Sequence, residues 1–190
     1  MGSRLWGIAV GVAMLVVAVI SPVLGAIADF SGSKKRLLFV FTAMACTFTA
    51  LLFFVEQGDV FIGMLFFILA EIGYRGAQVF YNSLLPEIAG PDDIGRVSGI
   101  GWAIGSAGGV LCLLIILPLI MIFEGTFMVR LSLVITAAYF ALSSIPMFLS
   151  FKESAKPKPL PSGENYLTLG FKQTWATIRK AGSYREFIKF

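Results

Sequence analysis

The chain has 190 residues, 57% of them hydrophobic and 14% charged, and its mean hydropathy is +0.87. That leaves too little polar surface to clothe a soluble globule and makes a bilayer its natural solvent. The formal charge of +4 does not point to nucleic acid, because Lys and Arg flank apolar runs and crowd the tail, as they do in cytoplasmic loops of membrane proteins.

A helix needs about 20 apolar residues to cross a ~30 Å hydrocarbon core. Five runs approach or exceed that length, at about residues 5–28, 37–55, 60–85, 97–123 and 128–151. Barrel strands are only ~9–11 alternating residues long, so length and period both exclude a barrel. The expected fold is all-α, a polytopic transmembrane helical bundle over residues 1–151, with a cytoplasmic linker and amphipathic helix over 152–190. The first run is too long for the apolar region of a signal peptide. Gly2 is no myristoylation signal, since Trp6 stands where that signal wants Ser or Thr.

Between the first two runs lies a basic polar turn, Asp29 through Arg36, including Lys34, Lys35 and Arg36. The second run ends in the acidic turn Glu56, Gln57, Gly58, Asp59, and the fourth in Glu124, Gly125, Thr126. After the third run, Pro91 and Asp92 read as a helix start, Asp92 capping free amides and Asp93 favouring the positive end of the dipole. Basic turns at Lys34 and Arg96 and a basic tail from Lys152 assign that side to the cytoplasm. Arg4 and Arg130 run against this rule, each near a span end from which it can snorkel to the interface. An odd number of spans then puts the N-terminus outside and leads us to expect a fragment lacking one preceding helix.

The third run carries a polar row. Glu71, Arg75, Gln78 and Asn82 fall at helical spacing on one face, with Tyr74 and Tyr81 at its edges. A charge near mid-bilayer costs about 2.5–3.5 kcal/mol on insertion scales, so the row is expected to face protein or water. It reads either as a lock between helices or as the lining of a substrate and ion pathway. In the second reading Arg75 holds an anionic group and Glu71 an amine or a coupling proton.

In the fourth run, Gly101, Gly105 and Gly109 repeat every four residues and predict a groove for close helix packing, with a sliding contact as the sharper alternative. They lie inside a span, not between a strand and a helix, so they are no nucleotide-binding loop. No histidine is present, and Cys46 and Cys112 sit within apolar runs as small hydrophobes, so neither metal, cofactor nor catalytic residue is expected.

Beyond residue 151 a Lys- and Pro-rich linker leads to Phe171, Trp175 and Ile178 at helical spacing opposite Lys172, Arg179 and Lys180. This short basic amphipathic helix suits either the cytoplasmic lipid surface or packing against the remainder of the protein. Another apolar run begins at about residues 187–190.

The turn from Gly25 to Leu37 resembles the signature between helices two and three of the major facilitator superfamily. Gly25, Ala28, Asp29, Gly32, Lys34 and Leu37 match, whereas Phe30 and Ser33 stand where basic residues are common. The segments Phe80 to Ala89 and Gly95 to Trp102, with Arg96 inside the second, resemble the autophagy-related vacuolar effluxer branch of that superfamily. The resemblance covers nearly the whole chain and implies the partial N-terminal half of a major facilitator fold, helices two to six, the central loop and the start of helix seven. It further implies a permease with alternating access about a midplane site, and efflux of small solutes such as amino acids. The implied partners are the lipid bilayer, a small-molecule substrate, a coupling proton and the missing remainder of the same transporter. The implied location is the cell inner membrane, or the vacuolar membrane in a eukaryote. The alternative is a non-transporting scaffold or lipid-handling protein of the same fold; an enzyme is not expected.

Overall fold

The computed structural model describes residues 2–123, 125–153, 157, 159–160 and 163–181. Its elements are α1 (Gly2–Phe30), α2 (Lys34–Leu51) with a 3-10 turn at Leu52–Phe54, α3 (Val60–Ile88), α4 (Ile94–Ile122), α5 (Thr126–Ser150) and α6 (Tyr166–Ala181). Five of these helices are long and apolar enough to cross a membrane. No strand occurs among the described residues, and the chain is an all-helical transmembrane bundle. Glu124 and the apolar run from 187 lie outside the described residues.

Short turns make successive spans antiparallel, so the ends at Phe30, Lys34, Ile88, Ile94 and Ser150 share one end of the bundle. This is the basic end. The turn between α1 and α2 is tighter than its polar composition suggests: α2 already begins at Lys34, and Lys34 to Arg36 form its first turn. At the start of α4, Asp93 rather than Asp92 holds the N-cap position, without a side-chain capping bond. Its carboxylate instead meets Arg96 at 3.4 Å, one turn along.

Packing centres on α3. Its buried face comprises Ala70, Gly73, Gly76, Ala77, Phe80 and Leu84, a stripe of small residues ending in two large ones. Phe80 and Leu84 are fully buried and join Leu24 and Ala28 of α1 and Leu38 of α2 in the core near the basic end. The small residues let α2 approach closely: a Cβ on Gly73 would lie 2.7 Å from the Ala45 backbone nitrogen and 2.9 Å from the Phe41 carbonyl oxygen. Phe41 lies over Gly76 and stacks on Phe80 with ring centroids 5.6 Å apart. Lipid tails are as apolar as Leu, so this contact rests on close van der Waals packing and not on a hydrophobic driving force.

Helix α4 contains no buried residue. It is held by Tyr139 of α5, whose hydroxyl donates to the Gly108 carbonyl at 3.0 Å, and by Tyr81 of α3. At the opposite end of the bundle from Lys34, Arg130 of α5 donates through Nε to the Phe53 carbonyl at 2.5 Å, and its guanidinium lies 5.3 Å from the Phe53 ring centroid. Arg130, one of the two residues that run against the charge rule, therefore caps the exit of α2.

Gly73→Leu is expected to destabilise the bundle by about 1–3 kcal/mol, the usual cost of overpacking. Gly99→Leu, where an added Cβ meets open space, is expected to be near neutral. Equilibrium unfolding in mixed micelles reads both.

Candidate functional site

The polar row of α3 lies on the side away from its glycine stripe. Glu71 and Arg75 are one helical turn apart, and Arg75 Nε donates to Glu71 Oε1 at 2.8 Å. The Glu71 side chain is 19% exposed and that of Arg75 38%, so the carboxylate is the deeper partner. Tyr74 ties the row together: its hydroxyl accepts from Gln78 Nε2 at 3.1 Å, and its ring centroid lies 5.6 Å from the Arg75 guanidinium carbon. The same ring meets Phe140 of α5 edge-on, with centroids 6.2 Å apart. Further along, the Tyr81 hydroxyl lies 3.1 Å from where a Cβ on Gly101 would stand. Asn82 is exposed.

A cavity of about 600 Å³ opens beside the row. It runs from the end of the bundle bearing the acidic Glu56 turn, past Trp6 of α1, Thr49 of α2 and Phe67 of α3, to Glu71, Tyr74 and Phe140. Glu71 is its charged lining residue. That residue stands 11 positions into α3, about 17 Å along the helix at 1.5 Å per residue, close to mid-bilayer. The volume falls within the ~300–1,000 Å³ of small-molecule sites, which are mostly apolar with a few placed polar groups.

The expected pathway residues are thus only partly brought together. Glu71 lines the cavity, Arg75 reaches it through its ion pair, and Gln78 through Tyr74, whereas Tyr81 and Asn82 lie further toward the basic end. Tyr74, Trp6, Phe67 and Phe140 belong to the site by geometry. For Tyr74 a signal existed in its spacing from Glu71 and Gln78; for the others it lay in contacts between distant segments. Among the glycines of α4, Gly101 seats Tyr81, while Gly105 and Gly109 face open space. No group of three or more His, Cys, Asp or Glu side chains able to hold a metal occurs among the described residues.

A second polar centre lies at the basic end. Lys34 Nζ pairs with Glu87 Oε1 at 2.7 Å and donates to the Ser83 carbonyl at 3.1 Å, joining the start of α2 to the end of α3. Glu153, beyond the end of α5, accepts from the Lys34 backbone N–H at 2.5 Å and the Lys35 N–H at 3.4 Å. A carboxylate distant in sequence thereby caps the positive end of α2. Gly32 holds φ at +59°, and Pro157 sits where its Cβ would be, 2.6 Å from the proline nitrogen. The glycine is required by both backbone conformation and space. Lys35 Nζ also donates to the Phe151 carbonyl. Asp29 is exposed and lines a groove between α1 and α6 together with Gly25.

Span-capable helices, an intramembrane ion pair and a half-closed cavity define an integral, multi-pass membrane protein. The chain matches the model of the family described as vacuole effluxer Atg22 like over residues 6–190 and belongs to that family. It is 28% identical over 191 residues to the uncharacterized MFS-type transporter YxiO of Bacillus subtilis, covering 97% of this chain and 44% of that protein. It is 26% identical over 111 residues to an uncharacterized protein of Aquifex aeolicus, covering 58% of this chain and 28% of the other. The chain therefore spans less than half the length of these relatives. No solved structure matches it.

Glu153→Ala is expected to lower stability by about 0.5–2 kcal/mol, the range for a lost helix cap, with Glu153→Gln intermediate. Thermal unfolding of the detergent-solubilised protein followed by circular dichroism measures it.

Proposed function

We propose that this chain forms part of a secondary active permease that moves small organic solutes by alternating access, with the Glu71 cavity as part of the pathway. The carrying observation is the Glu71–Arg75 pair at mid-helix beside a cavity otherwise lined largely by apolar side chains. An ion pair at that depth is costly on a lipid-facing surface and useful beside a wet passage. The family membership and the transporter description of the Bacillus subtilis relative support the class.

Amino acids fit this reading best. A primary ammonium pairs with Glu71, a carboxylate with the Arg75 fork, and an apolar side chain lies against Trp6, Phe67 and Phe140. Glu71 is also the residue to carry a coupling proton, exchanging it for the substrate amine or for Arg75. The remainder of the transporter, a second bundle of the size by which YxiO exceeds this chain, completes the wall beside Arg75, Gln78, Tyr81 and Asn82. Motion about this site engages the basic-end elements Gly25, Asp29, Gly32, Lys34 and Arg96, and the Gly101, Gly105 and Gly109 face provides a packing surface for it. The host membrane is the cell inner membrane, or the vacuolar membrane in a eukaryote. No residue is assigned a catalytic role. The apolar cavity wall favours one rival, a lipid-handling protein that uses the same space for an acyl chain.

Glu71→Gln and Arg75→Ala are each expected to reduce amino-acid transport about 10- to 100-fold in proteoliposomes of the whole protein, corresponding to one charge-assisted bond. Transport that survives both changes, or lipid movement in place of solute flux, removes the reading.

A further inference from the structure

Helix α6 is too short and polar to be one of the span-capable helices, yet it presents large apolar side chains. Leu167, Phe171, Trp175 and Ile178 are 61%, 48%, 70% and 57% exposed. Their spacing places them on one sector of the helix. A second sector, centred on Gly170, faces α1. There Leu169 is buried, and an added Cβ on Gly170 would lie 2.4 Å from the Pro22 carbonyl oxygen, so the two backbones touch. The third sector carries Lys172 and Arg179, with Lys180 beside them. Lys172 also pairs with Glu164.

With α1 centred on the hydrocarbon core, the attachment point sets the depth of the helix at Gly170. The span Arg4–Phe30 has 27 residues, about 40 Å of helix against a ~30 Å core, so it overhangs by about 5 Å at each end. Pro22 stands eight residues before the end of α1, about 12 Å back along the helix and so about 7 Å inside the acyl boundary. Interfacial helices settle about 5–10 Å into that boundary, with aromatic and aliphatic side chains downward and Lys or Arg toward the headgroups. This end of the bundle carries Lys34 to Arg36 and Arg96, the side that the positive-inside rule assigns to the cytoplasm.

We propose that α6 is a lipid-binding strap: clasped to α1 through Gly170, it docks its Leu167–Phe171–Trp175–Ile178 stripe on the cytoplasmic leaflet and its Lys172 and Arg179 on acidic phospholipid headgroups. The occupant is committed by charge complementarity and depth. Lys172 shares its charge with Glu164, so Arg179 adds the positive charge of the sector that is open to a headgroup, and phosphatidylglycerol supplies both the acyl surface for the stripe and a counter-charge beside it.

The test uses the full chain in bilayer nanodiscs with Trp6→Phe and Trp102→Phe, which leaves Trp175 as the sole tryptophan, excited selectively over the tyrosines. Brominated acyl chains are placed on either phosphatidylglycerol or phosphatidylcholine at equal mole fraction in the same mixture. Trp175 is expected to be quenched by both, and at least about twofold more strongly by brominated phosphatidylglycerol, the basic side chains enriching acidic lipid around them. Adding Lys172→Glu and Arg179→Glu is expected to abolish that preference while quenching persists. Equal quenching by the two lipids before the charge reversal overturns the headgroup assignment. No quenching by either overturns the lipid surface altogether and leaves a protein-covered stripe.

Discussion

The Glu71–Arg75 pair is the constraint around which this structure is organised. Two charges near the middle of a ~30 Å apolar layer are tolerated only if each meets the other and the pair meets something polar. Helix periodicity satisfies the first condition, since residues four apart share a face. Tyr74 and Gln78 contribute to the second by continuing the polar row. The same helix assigns its other face to small residues, Gly73, Gly76 and Ala77, which draw α2 against it. One helix thus supplies both the tightest packing in the bundle and its intramembrane charge, on opposite sides.

This division gives the basic-end network its place in the account. Lys34 joins α2 to α3 through Glu87 and the Ser83 carbonyl, while Glu153 holds the segment after α5 onto the first turn of α2. Through these contacts the start of α2 is tied both to α3, which carries the ion pair, and to the segment that follows α5. The cavity lies toward the opposite end, so the bundle is closed by charge at one end and open toward the other.

Much of this was legible in the residues. The five apolar runs became five span-capable helices because lipid permits few other solutions for the backbone. The polar row was visible because a 3.6-residue period is a local property. The turn around Asp29 and the segments around Pro86 and Gly99 carried the family likeness. What escaped were contacts between distant segments: Glu153 on the α2 terminus, Arg130 on the Phe53 carbonyl, Pro157 over Gly32, and the aromatic wall of Trp6, Phe67 and Phe140. No local pattern encodes these. The start of α4 was misplaced by one residue for a different reason: Asp92 and Asp93 are both good capping residues, and local propensity does not choose between them.

Accessibility of the α3 row to water decides the matter most directly. With Cys46 and Cys112 replaced by Ala, Gln78→Cys in the whole protein in its native membrane is expected to react with a charged, water-soluble maleimide. Leu142→Cys on the exposed face of α5 is expected to resist it. If Gln78→Cys proves as unreactive as Leu142→Cys, the row faces acyl chains or tightly packed protein, and the pathway built on Glu71 and Arg75 is contradicted.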